Sequence, residues 1–127
     1  MNVFKETLSQ AMSGMQVQSR RVGVAAENIS NADTPGYQRK VLVAEAGATA
    51  GDAFRATRVV LDEAPGLKSY EPEHPMADGD GYVTLSNVSL VSEMADMREA
   101  NRTYEANLNA FQQARTMYQS LLDILRR

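Results

Sequence analysis

The chain has 127 residues, a length that fits one modest core and does not favour several independent domains. Thirteen Lys and Arg against sixteen Asp and Glu leave a formal charge of −3, so attraction to phosphate backbones is not expected and nucleic acid is an unfavoured partner. The absence of cysteine excludes disulfides, thiolate nucleophiles and Cys-based zinc sites, and with no Trp the packing must rest on Leu, Val, Ala and Met.

The first element is a helix over residues 3 to 29. Phe4, Leu8, Ala11, Met15, Val22, Ala25 and Ile29 recur at steps of four and three, with Gln18 the one polar interruption. That period is what a helix presents when it packs along another helix at a shallow angle. The beginning of the chain lacks the uninterrupted apolar core of a cleavable signal peptide, and no stretch is long enough to span a bilayer. A chain that is not membrane-spanning is therefore expected.

The helix should end in Asn28-Ile29-Ser30-Asn31-Ala32-Asp33-Thr34-Pro35-Gly36. Asn, Ser and Asp favour local side-chain bonds, and Pro35 drives Thr34 out of the helical region. Gly36 accepts the positive φ of a type II turn. Tyr37 follows with a ring able to anchor that turn on the helix.

Between Gln38 and Ser86 the helical period disappears. Extended segments are expected at Lys40 to Ala44, Phe54 to Leu61 and Tyr82 to Leu85, with residues 45 to 52 as a flexible hairpin tip and Tyr70 to Gly81 as a loop. His74, Asp78 and Asp80 in that loop are competent metal ligands, but a polar turn is by far the favoured reading. Glu71 and Glu73 read as solvated carboxylates, because no pocket or perturbing neighbour accompanies them. No catalytic, metal or cofactor site and no small-molecule substrate is assigned.

A second long helix starts near Leu90, capped by Asn87 or Ser89 with Glu93 near its positive end, and runs for about 36 residues. Its apolar line is read through Leu90, Met94, Met97, Tyr104, Leu108, Phe111, Tyr118, Leu122 and Leu125, interrupted by Asn101 and Arg115. Arg126 and Arg127 face its negative end, and Asp123 with Arg127 forms an i,i+4 pair. Asn101 inside that line would fix register, as polar residues do in coiled coils.

The fold class expected is mainly α: long N- and C-terminal helices packed as a coiled-coil-like pair, with a small β-containing or irregular central segment. The corresponding division is 1–37 for the first helix and its exit turn, 38–86 for the insertion and 87–127 for the second helix. Val17, Val24, Ala114, Met117 and Leu121 widen both apolar arcs beyond what a two-stranded coil needs. Further helices from other copies or other subunits would cover the flanks; a closed intramolecular hairpin is the alternative.

The two termini also carry motifs. Residues Asn28 to Asn31 followed by Thr34-Pro35-Gly36-Tyr37, and Asn87-Val88, Glu93-Met94 and Arg102-Thr103-Tyr104-Glu105-Ala106-Asn107, resemble the flagellar axial family of rod, hook and hook-associated proteins. The short length and the segment Tyr70 to Pro75 followed by Asp80 to Val83 resemble its proximal-rod branch. The resemblance implies a non-enzymatic structural subunit of the basal-body rod. Such a subunit assembles with other rod subunits and with copies of itself into a tube that transmits torque and surrounds the export channel. The base of the rod, at the MS ring and export apparatus, is implied as a neighbour. Location in the periplasmic rod, reached by type III export without a cleaved signal, is also implied. Its assembly interface would comprise Phe4, Leu8, Met15, Val22 and Ile29 on the first helix, and Asn28, Asn31, Pro35, Gly36 and Tyr37 at the exit. On the second helix it would comprise Met94, Met97, Asn101, Tyr104, Glu105, Asn107, Leu108, Phe111, Tyr118, Leu122 and Leu125. A cytoplasmic coiled-coil adaptor or regulator is the rival reading; it would share the heptads but has no reason to combine both motifs.

Overall fold

The structure, a computed structural model, describes residues 2–45 and 57–126. Helix α1 (Asn2–Ser30) leads into strands β1 (Lys40–Ala44), β2 (Thr57–Leu61), β3 (Lys68–Tyr70) and β4 (Tyr82–Thr84), and helix α2 (Leu90–Leu125) closes the order. None of the helices is long and apolar enough to cross a membrane, judged over the described residues. The hairpin tip expected at residues 45 to 52 lies, beyond Glu45, outside the described residues, as do positions 54–56 and Arg127.

The helices run antiparallel against each other. The rings of Phe4 and Tyr118 meet at 5.9 Å near one end, and Gly14 sits so close to Asn107 that a Cβ there would fall 2.7 Å from its Nδ2. Their lengths of 29 and 36 residues correspond to about 43 and 54 Å. Ser89 caps α2 by accepting the Ser92 N–H.

The first apolar line falls where the sequence puts it: Phe4, Leu8, Met15, Val22 and Ile29 are partly covered, while Ala11 and Ala25 are buried. On α2 Met97, Leu108, Phe111, Tyr118 and Leu122 are likewise partly covered, but the most deeply buried positions stand one residue ahead of the expected line. Glu93, Ala100 and Ala114 are those buried positions, whereas Leu90, Met94, Asn101, Tyr104 and Leu125 are exposed. Large side chains pull the expected line off its centre because hydrophobicity weights them most; alanines take the closest positions because they let two backbones approach. Asn101 therefore does not set register within this pair.

Strands β1 and β2 form an antiparallel ladder with Lys40 opposite Leu61 and Ala44 opposite Thr57. The strand expected at Tyr82 to Leu85 ends at Thr84, and it pairs antiparallel with β3, which the sequence reading leaves unassigned. Three residues are too few for alternation to register, so pairing decides the state. Gly66 precedes β3 in close approach to the backbone: a Cβ there would lie 2.0 Å from the Leu85 carbonyl oxygen. Gly66→Ala is expected to destabilise the fold by about 2–3 kcal/mol, read from the urea midpoint, because the obstacle is main chain.

In the β3–β4 turn the side chains proposed above as possible ligands hold the backbone. His74 Nδ1 accepts the Met76 N–H at 3.0 Å, and Asp78 Oδ1 accepts those of Tyr82 and Asp80, each at 2.9 Å. The Tyr82 N–H is the leading cause that keeps the Asp78 carboxyl below its ordinary pKa, with Asp80 contributing. A depressed carboxylate stabilises the folded turn above its unfolded value and loses that effect as pH falls through the folded one. Exchange of the Tyr82 amide should therefore accelerate as pH drops below the ordinary 3.8, after correction for intrinsic rates. Asp78→Asn should remove that pH dependence.

Candidate functional site

Helix α1 stops where Asn28 to Tyr37 turns the chain out of the pair. Tyr37 N–H bonds the Thr34 carbonyl at 3.2 Å, with Gly36 at φ 75°. This is the type II turn that Pro35 and Gly36 prescribe. Asn31 reinforces it: its Nδ2 donates to the Glu27 carbonyl at 2.9 Å and its Oδ1 accepts from Thr34 Oγ1 at 3.2 Å.

Asn28 is the clasp. Fully buried, it donates to the Lys40 carbonyl and accepts the Lys40 N–H, both at 2.9 Å, and accepts the Tyr37 hydroxyl at 2.9 Å. One amide thus reproduces a strand neighbour for the first residue of β1 and fixes the ring expected to anchor the turn. Burial first, then Glu27, raise the Tyr37 phenol above its ordinary value, so it stays a donor at neutral pH.

A second knot forms at the neighbouring residue, Arg39. The Arg39 guanidinium hydrogen-bonds Glu93 through Nε, reaches Asp96 at 3.3 Å and stands 3.8 Å from Asp62. The Glu93 bond is the leading cause that raises Arg39 above its usual pKa, against the opposing effect of burial. Glu93 is 1% exposed at the positive end of α2, so a buried carboxylate meets both a guanidinium and a helix N-terminus.

Asn87 completes the joint. Its Oδ1 accepts the Arg39 N–H at 2.6 Å, and its Nδ2 donates to the carbonyls of Asp62 and Ala64, each at 2.9 Å. Ser86 Oγ donates to the Ala32 carbonyl, and Gly36 N–H to that of Thr84 at 3.0 Å. Four segments distant in sequence are thereby tied at one place. The arrangement is mechanical: it sets the direction in which the central segment leaves the helix pair. No group of three or more His, Cys, Asp or Glu able to hold a metal occurs among the described residues.

The structure gathers Asn28, Asn31, Pro35, Gly36 and Tyr37 into this joint. It leaves Met94, Asn101, Tyr104, Glu105 and Leu125 on the outside of the pair, while Met97, Asn107, Leu108, Phe111, Tyr118 and Leu122 are partly covered. Arg39, Asp62 and Ser86 were missed by the sequence reading. Glu93 was read only as a dipole partner and Asn87 only as a cap. A buried ionic joint made by residues more than fifty positions apart has no local signature; an Arg beside the exit turn and an acid in the first turn of α2 were the available clues.

Two family descriptions match the two ends of the chain. "Flagella basal body rod protein" covers residues 8–38, and "Flagellar basal body rod FlgEFG protein C-terminal" covers residues 80–124. The flagellar basal-body rod protein FlgC of Agrobacterium fabrum is 40% identical over 126 residues, covering 91% of each chain. Those of Aquifex aeolicus and Salmonella typhimurium are 38% identical (94% of each chain) and 35% identical (84% of this chain and 87% of the relative). Matched at both helices and along most of its length by relatives of this identity, the chain belongs to the FlgC family of flagellar basal-body rod proteins.

Proposed function

We infer that the chain is a structural, non-enzymatic subunit of the flagellar basal-body rod and that its helix pair, residues 1–37 with 87–127, is the assembling core. The observation that carries this reading is the apolar surface the pair leaves uncovered. Leu90, Val91, Met94, Tyr104, Met117, Ile124 and Leu125 are exposed on α2, and Val3 and Met12 on α1. Met12, Met15, Gln16, Ser19, Arg20 and Tyr104 line an open groove of about 560 Å³, broad enough to seat side chains of a third helix.

Contacts with neighbouring rod subunits and copies of itself would fall on these flanks and on the apolar lines given above. The exit joint would fix the angle of the insertion, residues 38–86. Periplasmic placement, export without a cleaved signal, and a position next to the MS ring and export apparatus belong to the same proposal. Deleting the encoding gene tests it: loss of the rod and of swimming, restored by the intact chain, is expected. Normal filaments and swimming without the gene would overturn the reading.

A further inference from the structure

The β3–β4 hairpin has its own surface, because β3 and β4 pack principally on each other rather than on either helix. Val83 points inward and is buried, which leaves Tyr70 and Tyr82 on the outer face, 64% and 42% exposed. Their rings meet edge-on with centroids 5.2 Å apart. A Cβ added to Gly81 would fall 2.9 Å from Tyr70 Cε2 and 3.2 Å from Pro72 Cβ, so the Tyr70 ring and Pro72 lie over the bare glycine backbone. Exposed aromatic side chains of this kind are enriched among the residues that dominate interfaces.

The adjoining turn, residues 71–80, carries Glu71, Glu73, Asp78 and Asp80 and no Lys or Arg. Taking its −4 from the chain total of −3 leaves +1 on all other residues, so the negative excess sits beside the tyrosines. The matching surface is on α2. Arg98 and Arg102 are exposed and one turn apart, with Glu99 and Glu105, also exposed, three residues to either side of Arg102. Among the described residues neither lies in an ion pair. Their separation along the axis, about 6 Å, matches that of the two rings.

We propose that the outer face of the β3–β4 hairpin docks on the Arg98 and Arg102 stripe of a second copy. The guanidinium groups lie on Tyr70 and Tyr82, and Glu71 and Glu73 flank them. The two patches differ, so the contact is head-to-tail and propagates rather than closing a dimer. This rests on the rod-subunit reading and adds a contact outside its helical core.

The test uses the full-length chain as the sole copy in its own cells. Glu71→Lys with Glu73→Lys, and separately Arg98→Glu with Arg102→Glu, should each lower the yield of completed rods about tenfold; all four together should restore it to within about threefold. Because the natural chain has no cysteine, Glu71→Cys combined with Arg102→Cys gives a second readout: oxidised basal bodies should yield linked copies of the chain. Normal rod yield in both reversed pairs would overturn the proposal. So would a four-fold variant no better than either pair, which would assign the hairpin to a different basic partner, or a lack of linked copies in rods that do assemble. Each of these leaves the rod reading intact, whereas swimming after gene deletion removes the rod reading itself.

Discussion

Replacing Arg39 by Met is expected to lower the unfolding free energy by about 3–5 kcal/mol, because it strands a carboxylate that the fold has already removed from water. The Glu93 side chain is 2% exposed, and Arg39 is its ion-pair partner among the described residues. The positive end of α2 offsets part of the loss, but a helix terminus contributes about 0.3–2 kcal/mol against a larger desolvation cost. Arg39→Lys should rescue little. A single ammonium cannot reproduce the fork that meets Glu93 through Nε and Asp96 through a second nitrogen. Changing Glu93 to Met as well should recover most of the stability, since two apolar groups leave no orphaned charge. Urea denaturation of the two single variants and the double variant measures this; a loss below about 1 kcal/mol for Arg39→Met would show that water reaches Glu93 after all.

Asn28→Ala is expected to cost about 3–4 kcal/mol, because three groups lose a partner together. The Lys40 N–H and carbonyl belong to the first residue of β1, and the third is the Tyr37 hydroxyl. Tyr37→Phe separates the contributions: it removes one bond and leaves Asn28 holding Lys40, so about 1 kcal/mol is expected. Asn28→Asp keeps both acceptor roles but places a carboxylate against the Lys40 carbonyl, and should fall between them or lower. If Asn28→Ala and Tyr37→Phe proved equally costly, the clasp on Lys40 would contribute nothing.

Legibility in the sequence followed the range of each interaction. Helix α1 shows itself through its own period, and the exit through Pro35 and Gly36, whose backbone preferences act locally. Strand β1 was given with its bounds, Lys40–Ala44, by β-branched content. The facing line of α2 was given only in part: Met97, Leu108, Phe111, Tyr118 and Leu122 are partly covered, but the buried positions 93, 100 and 114 stand one residue ahead of 94, 101 and 115, and which set faces inward depends on the partner. Alanines at 100 and 114 fit against α1, a fact about spacing between two helices rather than about either alone. The joint at Arg39 was hidden for a related reason: Asp62, Asn87 and Glu93 become neighbours only after the chain has returned on itself.

The buried apolar side chains of the helix pair, Ala11, Ala25, Ala100 and Ala114, are all small. Such a centre releases little free energy on burial, and Met12, Met94, Met117, Ile124 and Leu125 face outward. If the rod-subunit proposal holds, folding and assembly draw on the same reservoir, and a copy covered by neighbours is expected to be more stable than a lone one. Saturation with those neighbours raises its resistance to heat by mass action, about 1.4 kcal/mol for each tenfold excess over their dissociation constant.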